Sequence, residues 1–264
     1  QSLGVSLGAV AQDDHFLVLE QRQVGVLVVI GFGVQPLGGG LRGGGQAMFA
    51  LDVTDPKNFD EKNAKDVVLW EFTDNGTGAP GAKGDADLGY TYGEAAIAKM
   101  ANGDWAAVFG NGYNNTETDA HVSITGDAVL YVVNVQTGAL IAKLSTKAGM
   151  SADPDKLGRP NGLAGVRVVD VDEDGVTDFV YAGDLFGNLW RFDLTSKVPG
   201  DWAVSFGNQP LFTATSVEGK TQSITVRPTW GASGQGMEKG YMLYFGTGKY
   251  LENADNSAVG QPTQ

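Results

Sequence analysis

Met48-Phe49-Ala50-Leu51-Asp52-Val53-Thr54 returns in degenerate form as Leu130-Tyr131-Val132-Val133-Asn134-Val135-Gln136-Thr137, and again as Leu189-Trp190-Arg191-Phe192-Asp193-Leu194-Thr195. Each copy runs from a bulky aromatic through a short apolar stretch to Asp or Asn, and ends on Thr. A second pattern, an aromatic followed by a glycine-rich turn, alternates with the first: Phe109-Gly110-Asn111-Gly112, Tyr181-Ala182-Gly183-Asp184 and Phe245-Gly246-Thr247-Gly248. Two interleaved strand motifs that recur along a chain imply repeated antiparallel blades, the logic of a β-propeller.

The rest of the chain agrees. Apolar residues at helical spacing are scarce, and short apolar or alternating runs bounded by Gly, Asn and Asp recur instead. Strands are expected at 47–53, 67–72, 95–99, 105–109, 128–135, 139–144, 165–169, 178–182, 189–193 and 241–245. The 39 glycines lie in small clusters along the whole length, as tight turns between short strands require. The 264 residues, 42% hydrophobic and 19% charged, are enough for one large β domain with its own core. Residues 1–44 are read as poorly defined strands and a Gly-rich loop, 45–252 as the propeller, and 253–264 as a polar tail. A second loop is expected at 153–162.

Charge narrows the partners. A net −13, from 31 acidic and 18 basic residues, argues against duplex nucleic acid and anionic membrane surfaces, where binding rests on Lys and Arg. It is compatible with cation binding. No membrane-spanning segment is expected: the most apolar run, 24–34, falls well short of the roughly 20 residues a membrane helix needs and reads as a buried strand. With no cysteine there are no disulfides and no thiolate metal sites. The absence of a signal peptide at Gln1 leads us to expect a piece of a longer protein.

The sharpest chemical signal is Asp170-Val171-Asp172-Glu173-Asp174-Gly175-Val176-Thr177-Asp178. Calcium takes six to eight oxygen ligands, and carboxylates at positions 1, 3 and 5 of a tight loop converge on one point. Glycine at position 6 permits the sharp turn, and the carbonyl at position 7 turns inward. The expected ligands are therefore Asp170, Asp172, Asp174, the carbonyl of Val176 and Asp178, with water completing the shell. Position 12 is Tyr181, not Glu, and both flanks are strand-like, so this is an EF-hand-like loop set in a β-hairpin. Glu173 is expected to point away. Asp85 with Asp87, and Asp153 with Asp155, are read as solvated loops. The tryptophans, among them Trp105 and Trp190, are read as core.

Further stretches resemble a known family. Asp87-Leu88-Gly89-Tyr90-Thr91-Tyr92-Gly93, Trp105-Ala106-Ala107-Val108-Phe109-Gly110-Asn111-Gly112-Tyr113-Asn114, Ala182-Gly183-Asp184-Leu185-Phe186-Gly187-Asn188-Leu189-Trp190-Arg191-Phe192-Asp193-Leu194 and Tyr244-Phe245-Gly246-Thr247-Gly248-Lys249-Tyr250-Leu251 closely resemble the C-terminal propeller of PilY/PilC-type proteins, the pilus-tip adhesins and biogenesis factors of type IV pili. The resemblance runs from about Gly45 to Glu252; residues 1–44 depart from its pattern. It implies an all-β, modified quinoprotein-like β-propeller of four-stranded antiparallel blades at the bacterial surface, pilus tip, outer membrane or periplasm. It also implies calcium occupancy of this loop as the control of pilus extension against retraction, and so of twitching motility and adhesion. The implied partners are pilus components (minor pilins) and host or abiotic surfaces.

On this reading the chain is a binding module and not an enzyme. A quinoprotein-like dehydrogenase is the catalytic alternative, but its calcium sits beside the quinone, whereas the ligands here are contiguous. His15 and His121 stand in no catalytic motif, and there is no Gly-x-Ser-x-Gly elbow. A carbohydrate-binding propeller is the third reading.

Overall fold

The structure, a computed structural model, describes residues 11–12, 16–17, 25–28, 36–41, 45–55, 57, 60–117, 121–233, 240–251 and 253–256. It is built of antiparallel sheets whose strands follow one another in chain order. The first sheet holds β1 (Gly25–Val28), β2 (Pro36–Gly40), β3 (Ala47–Asp52) and β4 (Val68–Thr73). The second holds β5 (Ala96–Lys99), β6 (Trp105–Gly110), β7 (Val129–Asn134) and β8 (Leu140–Ser145). In the third, β9 (Leu163–Val169), β10 (Phe179–Asp184) and β11 (Asn188–Asp193) are followed by a split outer edge. There β12 (Ala203–Val204) and β13 (Phe212–Thr213) both pair with β11. A hairpin of β14 (Thr229–Ala232) and β15 (Tyr241–Tyr244) forms the fourth. These are the meanders of propeller blades, and the described sheets do not close into a ring. Each strand expected from the sequence lies on a strand, to within two residues at either end.

The two repeated patterns have distinct structural jobs. The first is the third strand of each four-stranded blade: β3, β7 and β11. Its Asp or Asn ends the strand and its Thr folds back on that side chain. Thr54 N donates to Asp52 Oδ1 at 2.9 Å, Thr137 N to Asn134 Oδ1 at 3.1 Å, and Thr195 N to Asp193 Oδ1 at 3.1 Å. Such side-chain-to-backbone turns stop a strand and start a reversal.

The second pattern closes the second strand of a blade and lets the next blade approach. A Cβ on Gly110 would lie 2.4 Å from Leu163 O, and one on Gly183 would lie 2.2 Å from Ile224 Cγ2. The backbone then locks the contact: Gly112 N donates to Leu163 O at 3.0 Å, and Ile224 N to Asp184 O at 2.9 Å.

One expectation is corrected here. The Gly-rich stretch near 38–45 reads as loop, yet Pro36–Gly40 is a paired strand. Close packing explains the glycines: a Cβ on Gly39 would sit 2.7 Å from Phe49 Cζ, and one on Gly40 would sit 2.7 Å from Thr91 O. Of the apolar run 24–34, Gly25–Val28 is strand. The remainder of that run, His15, and 257–264 of the polar tail lie outside the described residues.

Alternation along the strands of sheet two builds the core. Ala107, Phe109, Val129, Tyr131 and Val133 face sheet one and pack on Met48, Trp70 and Phe72. Ala106, Val108, Leu130 and Val132 face sheet three and pack on Val166, Val180, Trp190 and Phe192. A strand buried on both faces reads as a continuous apolar run, which is why 128–135 shows no alternation. Phe72, Phe109 and Tyr131 meet with ring centroids 5.2–5.7 Å apart. Trp70, Trp190 and Trp202 are core residues, whereas Trp105 is exposed.

Buried polar side chains fasten the ends of the blades. Asn111, fully buried, donates Nδ2 to Asp87 O and Asp127 O at 2.8 Å and accepts from Val129 N and Leu163 N at 2.9 Å. Asp184, also fully buried, accepts from Phe186 N, Asn188 N and Nδ2, Asn161 Nδ2 and Trp190 Nε1 at 2.8–2.9 Å. Burial pushes its pKa up against the pull of these donors.

Two outcomes follow. Gly110→Ala forces a methyl into the Leu163 carbonyl and is expected to cost about 1–3 kcal/mol in urea unfolding. Asp184→Ala strands five donors, three of them in buried bonds, and is expected to cost about 3–5 kcal/mol in the same assay.

Candidate metal centre

The loop 170–178 joins β9 to β10, and its ends are fixed by the ladder. Val169 faces Phe179 across the pair, and Asp178 N donates to Val169 O at 3.0 Å. Two more bonds tie it to its surroundings: Thr177 N to Lys99 O on β5 at 2.8 Å, and Leu194 N to Asp178 O at 2.9 Å. Inside the loop, Glu173 (φ 61°) and Gly175 (φ 84°) take left-handed conformations that reverse the chain.

The acidic side chains organise this turn. Gly175 N donates to Asp170 Oδ2 at 2.7 Å, Val176 N to Asp174 Oδ1 at 2.7 Å, and Val171 N to Asp178 Oδ2 at 2.8 Å. Asp170, Asp172 and Asp174 each bring a ligand atom within 4.8 Å of the others, the one such group of three or more acidic or imidazole side chains among the described residues. Asp172 and Asp174 are exposed and Asp170 is half-buried. Asp170 Oδ1 is shielded from solvent and has no hydrogen-bond partner among the described residues. A buried carboxylate oxygen without a partner is costly, and a hard cation would satisfy it.

Of the five expected ligands, then, the loop gathers three carboxylates. Asp178 sits beside them, half-buried and held by Val171 N–H. Burial raises its pKa, Val171 N–H opposes this, and the charges of Asp172, Asp170 and Asp174 add to the rise. Val176 is half-buried in the same turn, and Glu173 is exposed and outside the converging group.

Of the two acidic pairs read as solvated, Asp155 is exposed as expected, but Asp85 and Asp153 are buried and Asp87 is half-buried. Asp85 is 2% exposed, and Lys143 Nζ reaches its Oδ2 at 2.7 Å and Asp87 Oδ2 at 2.6 Å. Tyr131 OH adds a bond to Asp85 Oδ1 at 3.2 Å, and Ser123 Oγ bonds Asp87 Oδ1. Burial lowers the Lys143 pKa, but the bonds to the two carboxylates prevail and raise it. Asp153, 5% exposed, accepts from Asp155 N, Leu157 N and Arg159 N, and pairs with Arg159 Nη2 at 2.7 Å. The Arg159 side chain holds its pKa well below the carboxylate range. Sequence reading missed Asp85 because its partner Lys143 is far along the chain on another strand, and Asp153 because a turn folds Arg159 back over it.

Meandering sheets stacked face to face, with an acidic cation-type loop in the third, define a β-propeller domain. The chain belongs to the PilY1 beta-propeller domain family, whose profile matches residues 35–264. It is 42% identical over 228 residues to a type IV pilus biogenesis factor PilY1 homolog of Xylella fastidiosa, an alignment covering 83% of this chain and 14% of that protein. It is 39% identical over 236 residues to the type IV pilus biogenesis factor PilY1 of Pseudomonas aeruginosa, covering 83% and 18%. The crystal structure of the Pseudomonas aeruginosa PilY1 C-terminal domain superimposes with a TM-score of 0.69 at 38% identity, over 87% of this chain and 44% of that one. The chain thus spans less than a fifth of the length of these curated relatives. Among the described residues, no helix is long and apolar enough to cross a membrane.

Acid titration separates the Asp153 clamp from the rest. Its folded-state pKa lies below the unfolded value, so the ionised form stabilises the fold above the ordinary carboxylate pKa, and that contribution fades as pH falls through and below it. The stability gap between the native chain and Arg159→Ala is therefore expected to be full at about pH 5 and to shrink towards about pH 2.

Proposed function

We propose that this chain is the calcium-binding propeller of a type IV pilus biogenesis factor, and that it works as a binding module and not as an enzyme. The observation that carries the reading is the convergence of Asp170, Asp172 and Asp174 around the unpartnered Asp170 Oδ1. The family membership supports the setting. Calcium would be held by these three carboxylates, with the Val176 carbonyl, Asp178 and water completing an oxygen shell of six to eight. Its charge would offset the mutual repulsion of four aspartates in one turn.

The loop is tethered to sheet two through Thr177 and to the end of β11 through Leu194. Phe179, next to Asp178, lies under the Arg191 guanidinium at 4.6 Å, and Arg191 in turn stacks on the exposed Phe206 at 4.3 Å. Occupancy therefore stiffens a surface that reaches beyond the loop. In the proposal, pilus components (minor pilins) outside the cytoplasm read that surface, and occupancy sets pilus extension against retraction, with twitching motility and attachment following.

Calcium at a hundredfold excess over its Kd is expected to raise Tm by about 5–10 °C, reversibly with chelator. Asp178→Ala is expected to weaken calcium binding in calorimetry and to alter piliation in cells. Unchanged piliation despite lost binding would reject the regulatory role while leaving the ion site standing.

A further inference from the structure

The face of sheet three turned towards the last hairpin is unlike the other blade contacts. Val180 and Phe192 belong to the core shared with sheet two, and the partly buried Val168 packs against it. Period-two alternation turns their neighbours Arg167, Tyr181 and Arg191 to the opposite face. These three form one cross-strand row, since both arginines lie directly opposite Tyr181. Tyr181 OH meets Tyr241 OH on β15, which places the row against the hairpin. A third arginine enters from the chain leading into β14. The Arg227 stem lies over Gly165, whose Cβ, if present, would be 3.2 Å from Arg227 Cβ. Arg167 Nε donates to the carbonyl of the next residue, Pro228, at 3.0 Å.

The charges here do not balance. Among the described residues Arg167 is half-buried, has no carboxylate partner, and spends one of its five N–H donors on Pro228. Arg227 faces a single acid, Glu94, at 3.6 Å. Burial first, and then the charge of Arg227, push the Arg167 guanidinium below its usual range. Arg191 is engaged by Ser205 Oγ at 2.9 Å and by two aromatic faces. In a chain of net charge −13, two adjacent guanidiniums with one loosely held acid are a local excess of positive charge.

We propose that Arg167 and Arg227 form a binding site for a carboxylate-bearing sugar, with Glu94 at its rim. Guanidinium forks match a planar carboxylate in two-point geometry. Two arginines and one glutamate leave a single net positive charge, which suits a monoanion better than a phosphate dianion. The Glu94 carboxylate, an acceptor only, would take hydroxyl groups beside the bound anion and repel a second acid. The chain leading into β5, which carries Glu94, comes close to β9 here, since a Cβ on Gly93 would lie 3.1 Å from Gly165 Cα. Neither arginine nor Glu94 belongs to the converging carboxylates of the loop 170–178.

The test is a calorimetric titration of the 264-residue chain at constant ionic strength with sodium glucuronate, inorganic phosphate and a short N-acetylated peptide with a free C-terminus. Saturable one-to-one binding of glucuronate is expected, weakened at least tenfold in Arg167→Gln and in Arg227→Gln. Arg167→Lys, which keeps the charge and loses the fork, should also weaken it. Arg167→Gln removes one of two like charges but also the bond to Pro228 O, so a cooperative melt of the variant is read alongside binding to show that it is folded. No saturable glucuronate binding, affinity unchanged in Arg167→Gln, or tighter binding of phosphate or peptide would overturn the proposal.

Discussion

The middle strands of sheet two, β6 and β7, have almost no face left for water. They send alternate side chains into two dry seams, and both seams must close for either strand to be stable. This double burial, with Phe109 and Tyr131 on one side and Leu130 and Val132 on the other, is what stacks the meanders as blades. Close stacking in turn demands glycine wherever the end of a second strand meets the chain entering the next blade. Gly110 against Leu163 and Gly183 against Ile224 are the same solution used twice. The buried side chains of Asn111 and Asp184, each one residue on, then satisfy the backbone groups that such a junction strands.

The loop 170–178 inherits its rigidity from this arrangement. A ladder pair flanks it on both sides, and Thr177, near its end, is bonded to β5 of the neighbouring sheet. Four aspartates could not be held so close on a free turn without spreading apart. Here the backbone N–H groups of Val171, Gly175 and Val176 hold three of the carboxylates in place, and the fold supplies the rest of the constraint. In the proposal, these carboxylates, all from one hairpin, would hold a cation that stiffens the scaffold.

Much of this was legible in the sequence because it depends on neighbours in the chain. The Asp–Thr and Asn–Thr strand endings, the aromatic–glycine junctions and the acidic loop are all local signals, and all fall on the elements they suggest. Most of what was not legible depends on how the fold brings residues together. Glycine at 38–40 looks like slack chain until Phe49 and Thr91 are placed against it. Asp85 looks solvated until Lys143 arrives from another strand, and Asp153 looks solvated until Arg159 folds back over it. Trp105 looks like core, but it opens β6 at the exposed end of the sheet. The arginine row of sheet three is invisible in one dimension, because only strand register brings Arg167 and Arg191 beside Tyr181.

Anomalous diffraction from crystals grown in excess calcium tests the central claim most directly. The account requires one peak at about 2.3–2.6 Å from oxygens of Asp170, Asp172 and Asp174, in a well-ordered turn. A featureless map at that position, with the three carboxylates splayed into solvent, would contradict it.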